Sequence, residues 1–183
     1  MIYSVGNAQI SLVFGDISQQ QVDAIVNAAN AQLSVGGGVD AAIHKRGGPK
    51  ILQDTRKRFP MGCRTGCAVA SLAGDLACKV VIHAVGPIWR NDPKRESELL
   101  RRAYESSLEV AAENECESIA FPAISCGAFG FPVELAAEIA LQTMKSWTEK
   151  HAVPRDIRFV LFTESAGNPF LAKAAEIFGV PQV

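Results

Sequence analysis

The chain has 183 residues, 48% of them hydrophobic and 20% charged, with eighteen basic side chains against nineteen acidic ones and a formal net charge of −1. That length makes one domain, residues 1–183, able to bury about 70% of its unfolded surface with no disulfide or metal support. The composition excludes a disordered tail or a collagen-like repeat, and the near-neutral charge argues against a protein that holds nucleic acid by neutralising phosphates.

Strand and helix signals alternate along the chain. Residues 8–14 carry the alternation Ile10, Leu12, Phe14 and read as a strand, which pairs with residues 2–5 across Gly6-Asn7. Residues 24–26 form a short buried strand. A helix over 39–45 follows three glycines, and a second helical piece runs over 49–58. Residues 67–71 and 79–85 read as strands. Residues 94–115 form a long helix with Leu100, Tyr104, Leu108 and Ala111 on one stripe. A strand over 118–121 comes next. The following helix opens at Pro132, its apolar face continued by Val133, Ala136, Ala140, Met144 and Trp147. A strand over 157–163 and a helix over 168–178, stopped by Gly179 and Pro181, close the chain. Such alternation predicts a sheet covered on both faces, and the N-terminal hairpin makes that sheet mixed. Ligands of such sheets sit beyond the carboxyl ends of the strands.

The loops there are informative. Gly15-Asp16-Ile17-Ser18 places an acid after the first long strand. Asp16 can accept from an amino group, but taken alone it reads as a cap or turn residue. The second loop runs Asn27-Ala28-Ala29-Asn30 and on to Gly36-Gly37-Gly38-Val39-Asp40. Its glycines let backbone approach a ligand, and the amides of a helix start attract anions. Asn30 offers a donor and an acceptor to sugar hydroxyls, and Asp40 stands with it beside the glycine run. Asn27 reads as a buried asparagine satisfying its own turn. The third loop, residues 121–132, carries no charge, two glycines and the aromatics Phe129 and Phe131. It suits a diphosphate held by backbone amides, with Phe129 against a ribose and Phe131 packed on the core.

Several chemistries are missing. There is no G-x-G-x-x-G after the first strand, no G-x-x-x-x-G-K-[ST] and no G-x-S-x-G. Cys126 has no following arginine of the kind a cysteine phosphatase needs. His44 and His83 read as structural histidines and His151 as a surface one. The five cysteines, Cys63, Cys67, Cys78, Cys116 and Cys126, form no CxxC pair, so reduced thiols are expected and a zinc site is not. No secretion signal and no stretch of ~18 apolar residues is present. A cytoplasmic protein with no membrane partner is expected.

The runs VDAIVNAAN (22–30), GGGVDAAIH (36–44), VIHAVGPIW (81–89) and ISCGAFGFP (124–132) resemble the macrodomain family. They are most similar to its O-acetyl-ADP-ribose deacetylases and mono-ADP-ribosyl hydrolases, and the similarity extends from about residue 15 to 162. The resemblance implies a three-layer α/β/α sandwich with a mixed central sheet that binds ADP-ribose in a cleft. Asp16 would hold the adenine amine with the Ile17 backbone beside it, and Phe162 would flank the adenine. The backbone of Ser125, Cys126, Gly127, Ala128, Phe129 and Gly130 would wrap the diphosphate, opposed by Gly37, Gly38 and Val39. Phe129 would pack on the distal ribose, and Asn30 and Asp40 would be the catalytic pair. The chain departs from the pattern at Val35 (usually glycine), Ala41 (glycine), Cys67 (glutamate) and Cys126 (threonine).

The implied activity is hydrolysis of esters at the distal ribose. The substrate is O-acetyl-ADP-ribose, or mono-ADP-ribose on a protein Asp or Glu. The alternatives are a non-catalytic ADP-ribose reader and an unrelated nucleotide-binding domain. No cofactor, metal or nucleic acid is expected, and a monomer is. At a helix N-terminus the Asp40 anion is stabilised and loses basicity, so an orienting role competes with that of general base.

Overall fold

A computed structural model of the chain describes residues 1–182. Seven strands form one sheet in the order β1 (Ile2–Val5), β2 (Ala8–Phe14), β7 (Asp156–Leu161), β6 (Ser118–Phe121), β3 (Ala24–Ala28), β5 (Val80–Ala84) and β4 (Ala68–Leu72). The five inner strands run parallel, and β1 and β4 are antiparallel at the two edges. The expected N-terminal hairpin is present, and the β4 edge is a second source of mixed character.

The inner strands are buried on both sides, so consecutive residues feed opposite layers. On one face Ile25, Val81, Ala120 and Val160 pack under α1 (Gly38–Gly47) and α2 (Pro49–Arg58) through Ile43 and Ile51. On the other face Val26, Ile82, Ile119, Phe121 and Phe159 meet α3 (Pro93–Glu113), α4 (Val133–Thr148) and α5 (Glu164–Phe178). The result is the expected three-layer α/β/α sandwich. The larger core is aromatic at its centre: Phe159 stacks on Phe121 with centroids 5.7 Å apart and touches Phe170 at 5.4 Å. Truncating such a side chain costs about 3–5 kcal/mol.

Several boundaries differ from expectation. Strand β3 continues to Ala28, so Asn27 lies inside the sheet and not in a turn. Pro132 precedes α4 as its N-cap. Helix α5 begins at Glu164, four residues before the expected start, because the Thr163 hydroxyl accepts from the Ala166 amide and Pro169 is accommodated within the helix. The 3-10 turn Ile17–Gln19 is an addition. Among the described residues no helix is long and apolar enough to cross a membrane.

Candidate active site

The chain leaves β3 for α1, α2, β4 and β5 on one side of the sheet, and leaves β6 for α4 and β7 on the other. Adjacent parallel strands whose connections diverge open a crevice between the loops that follow them. Here that crevice is a cleft of about 250 Å³. Its walls include Asn30, Gly36, Gly37, Gly38, Val39 and Asp40 from the β3–α1 loop, and Ser125, Gly127, Ala128 and Phe129 from the β6–α4 loop. Gly86, after β5, lies in the floor. The only charged side chain among these residues is Asp40; no lysine or arginine lines the cleft.

The first wall is held by side chains. Asn27 and His83 are register partners on β3 and β5, and Ser71 lies on the neighbouring β4. Alternation turns Asn27 and His83 to the face that carries α1, where Asp40 and His44 descend one helical turn apart. The hydrogen bonds fix every orientation. The Asn27 amide donates to Asp40 Oδ1 (2.5 Å) and to His83 Nδ1 (3.1 Å). With Nδ1 accepting, His83 carries its proton on Nε2 and donates to the Ser71 hydroxyl (2.8 Å), which donates to the Leu72 carbonyl. Asp40 Oδ2 accepts from the Gly36 amide at 2.5 Å, and His44 Nε2 lies 3.5 Å from Oδ1. Asp40 therefore reaches back over the helix start in the manner of a capping box. Burial acts to raise the Asp40 pKa, yet bonds from His44, Asn27 and the Gly36 amide outweigh it and hold the carboxyl below its ordinary value. Burial, with His44 alongside, pushes His83 down to about 4, so it is neutral. The expectation that Asn27 satisfies its own turn is corrected: its partners are 13 and 56 residues away.

Asn30 and Asp40 meet at Gly36. A Cβ built there would lie 3.7 Å from Asn30 Nδ2 and 3.6 Å from Asp40 Oδ2. The Asn30 carboxamide folds over its own turn, donating to the Ser34 carbonyl (2.8 Å) and accepting from the Ser34 amide (3.1 Å).

The second wall is main chain. Ser125 has a φ of 66°, and its carbonyl accepts from the Phe131 amide at 3.0 Å, which bends residues 125–131 into a loop. The buried Ser125 hydroxyl has no partner among the described residues. It fits only because residue 86 is glycine: a Cβ there would lie 2.2 Å from Ser125 Oγ and 2.5 Å from Ile124 Cγ2. Phe129 is half-buried at the rim, its carbonyl accepting from the Trp89 amide at 2.8 Å. Phe131 is 2% exposed, packed edge-on against Trp89. Buried Glu96, in the first turn of α3, secures the neighbouring loop by accepting from the Arg90 and Asp92 amides.

The remaining candidates lie outside the walls of this cleft. Asp16 caps the 3-10 turn, accepting from the Ser18 amide (2.9 Å), the Ser18 hydroxyl (2.7 Å) and Gln19 (3.2 Å). Burial opposes ionisation there, but those bonds and the nearby Arg46 charge bring its pKa down. The Ile17 side chain is buried in the core under α1. Phe162 is 78% exposed just past β7, across the β2–β7 ladder from Gly15. Cys126 is half-buried, its thiol pushed up to about 12 by burial, and so is no nucleophile. Gly130 donates to the Gly127 carbonyl at 3.0 Å at the loop's end. The signal for Asn27 was present in the run from 22 to 30, where it sits three residues before Asn30.

A Macro domain family model matches residues 26–140. A macro domain-containing protein of Caldanaerobacter subterraneus subsp. tengcongensis is 51% identical over 158 residues, 85% of this chain and 90% of that protein. The O-acetyl-ADP-ribose deacetylase of Escherichia coli (strain K12) is 49% identical over 158 residues, 85% of this chain and 89% of that enzyme. Among solved structures, the Oceanobacillus iheyensis macrodomain with ADP superposes with a TM-score of 0.91 at 35% identity, covering 97% of this chain and 95% of that one.

Proposed function

The chain belongs to the Macro domain family, and from that premise we propose that it hydrolyses esters at the distal ribose of ADP-ribose, O-acetyl-ADP-ribose among them. One observation carries the reading: two glycine-bearing loops from adjacent parallel strands face each other across one cleft, with Asn30 and Asp40 converging on Gly36.

The diphosphate is held by main-chain dipoles. Amides of residues 125–130 take it from one side, and Gly37, Gly38 and Val39, at the positive end of α1, from the other. The unpartnered Ser125 hydroxyl adds a side-chain donor. Phe129 covers the distal ribose, and the Asn30 carboxamide exchanges its Ser34 contacts for ribose hydroxyls. Asp16, the Ile17 backbone and Phe162 receive the adenine. Asp40 is a weak base, with both carboxylate oxygens engaged and its pKa depressed. Its task is to fix Gly36 and Asn27 and thereby the turn against which the ester rests. Water is activated with help from the substrate's own phosphate. It adds to the acyl carbon, loop amides bear the charge on the tetrahedral oxygen, and collapse returns the ribose hydroxyl and a carboxylic acid.

This makes the protein a reverser of ADP-ribosylation wherever the acyl group belongs to a protein Asp or Glu. Its five free cysteines favour a reducing, cytoplasmic setting. It acts as a monomer without metal or cofactor. The test is calorimetry with ADP-ribose followed by single-turnover release of acetate from O-acetyl-ADP-ribose. Binding with chelator-resistant turnover is expected. Binding without turnover would leave only the reader, and no binding at millimolar ligand would end both readings.

A further inference from the structure

The β6–α4 loop begins where its strand runs out of partners. Strand β6 pairs with β3 only as far as Ala120 and with β7 only as far as Phe121, yet the chain stays buried at Pro122, Ile124 and Ser125. Buried main-chain donors and acceptors need partners, and one side chain supplies them here. Tyr104, in the middle of α3, is fully buried, its ring packed on those of Phe121 (centroids 5.5 Å apart) and Phe159 (6.2 Å). Its hydroxyl accepts from the Ile124 amide at 3.1 Å and donates to the Pro122 carbonyl at 3.4 Å. It thus replaces a missing strand across Ala123. Burial, with Cys126 nearby, pushes the phenol far above its ordinary pKa, so the donated proton is kept.

That contact fixes more than two atoms. The Ile124 N–H and the Ala123 carbonyl belong to one rigid peptide plane and point opposite ways. The Ala123 carbonyl accepts from the Cys126 amide at 3.3 Å. With Tyr104 on one end of the plane and Cys126 on the other, the chain enters the left-handed residue Ser125 (φ 66°) from a fixed direction. The far end of the loop is tied to the same helix by a longer route. Glu96, also buried, accepts from the Arg90 and Asp92 amides at 2.8 and 3.3 Å. The segment it holds adjoins Trp89, whose amide donates to the Phe129 carbonyl at 2.8 Å.

We infer that Tyr104 and Glu96 are positioning residues: neither lines the cleft, and through Ile124 and Trp89 they hold the two ends of the 125–130 loop in the shape that grips a diphosphate. The inference rests on the reading that this loop takes the diphosphate. Tyr104 has the larger share, because it bonds the loop's own approach and its loss strands two buried polar groups. The loop then turns to satisfy them elsewhere, and ligand binding has to reverse that turn.

Three variants test this. Tyr104→Phe keeps the ring and removes only the hydroxyl. Glu96→Gln keeps the shape but sets an amide donor against a main-chain donor. Phe170→Leu cuts the same aromatic core, against Phe159, away from the loop. Each is measured by calorimetry with ADP-ribose, steady-state kinetics on O-acetyl-ADP-ribose and urea unfolding. Tyr104→Phe is expected to raise Kd and KM about ten-fold, with kcat within about two-fold. Glu96→Gln is expected to raise both about three-fold. Phe170→Leu is expected to lose at least as much stability as Tyr104→Phe and to keep the wild-type Kd and KM. The inference is overturned if Tyr104→Phe binds as the wild type does, or if its kcat falls by more than its KM rises. It is also overturned if Phe170→Leu weakens binding equally, since general softening of the core then explains the effect. Should Tyr104→Phe not fold, Glu96→Gln decides, and an unchanged Kd there overturns the inference. Wild-type binding matched by both variants sinks the positioning roles alone, whereas a wild type that binds no ADP-ribose sinks the reading of the loop as well.

Discussion

The two walls of the cleft are built on opposite plans. The β3–α1 wall depends on side chains: Asp40 tied to Asn27, His44 and the Gly36 amide, with His83 and Ser71 behind. The β6–α4 wall depends on backbone, with an uncharged loop folded on its own amides and one unpaired hydroxyl. The first is vulnerable to removal of a functional group, because each lost partner strands another buried polar atom. The second is vulnerable to addition of atoms, because its geometry depends on what is missing at Gly86. On the proposed mechanism the first wall carries the chemistry as well as part of the grip on the diphosphate, and the second wall grips alone.

The strongest test of that division is Asp40→Ala. Turnover is expected to fall by about 10²-fold or more, with the ADP-ribose Kd moving less than about ten-fold, as single-turnover rates and calorimetry on the same preparation would reveal. Equal losses in both would erase the division. Next comes acid stability of the first wall. His83 is neutral in the fold, with a pKa near 4 against an ordinary value of 6.5. Below pH 6.5 the unfolded chain binds a proton that the folded chain refuses. Stability is therefore expected to drop by about 3 kcal/mol between pH 6.5 and 4 and to level off below that. Asp40, whose pKa lies under 3.8 in the fold, adds nothing in that window; its contribution disappears only at lower pH. Urea titrations across pH for wild type and His83→Gln should show the slope in the first and little in the second.

Gly86→Ala addresses the other wall. A Cβ 2.2 Å from Ser125 Oγ must displace the loop, so about ten-fold weaker ADP-ribose binding is expected, with kcat at saturation changed less. A kcat loss larger than the affinity loss would put chemistry on this wall after all. The smallest effect belongs to Cys126→Thr. The half-buried thiol bonds weakly to the Ile124 carbonyl at 3.5 Å, so kcat/KM should stay within about two-fold, checked by steady-state kinetics.

The legibility of the sequence divides along the same line. The backbone wall was readable, because glycines, a missing charge and a strand-to-helix position are local signals. The layers were readable too, since runs such as Val80–Ala84 mark buried parallel strands. The side-chain wall was only half visible. Asp40 and Asn30 stood out beside the glycines, but the Asn27–His83 contact exists because β3 and β5 pair in one register, and pairing register is not written in either strand alone. The β4 edge was hidden for the same reason. The start of α5 was obscured by Pro169, which local rules treat as a boundary, although the Thr163 cap overrode it.

A binding cleft walled without lysine or arginine has one more consequence. Fixed peptide dipoles hold no mobile counterion cloud that must be shed when a diphosphate enters. Affinity for ADP-ribose should therefore vary little with ionic strength. The nucleotide would stay bound even in concentrated brine.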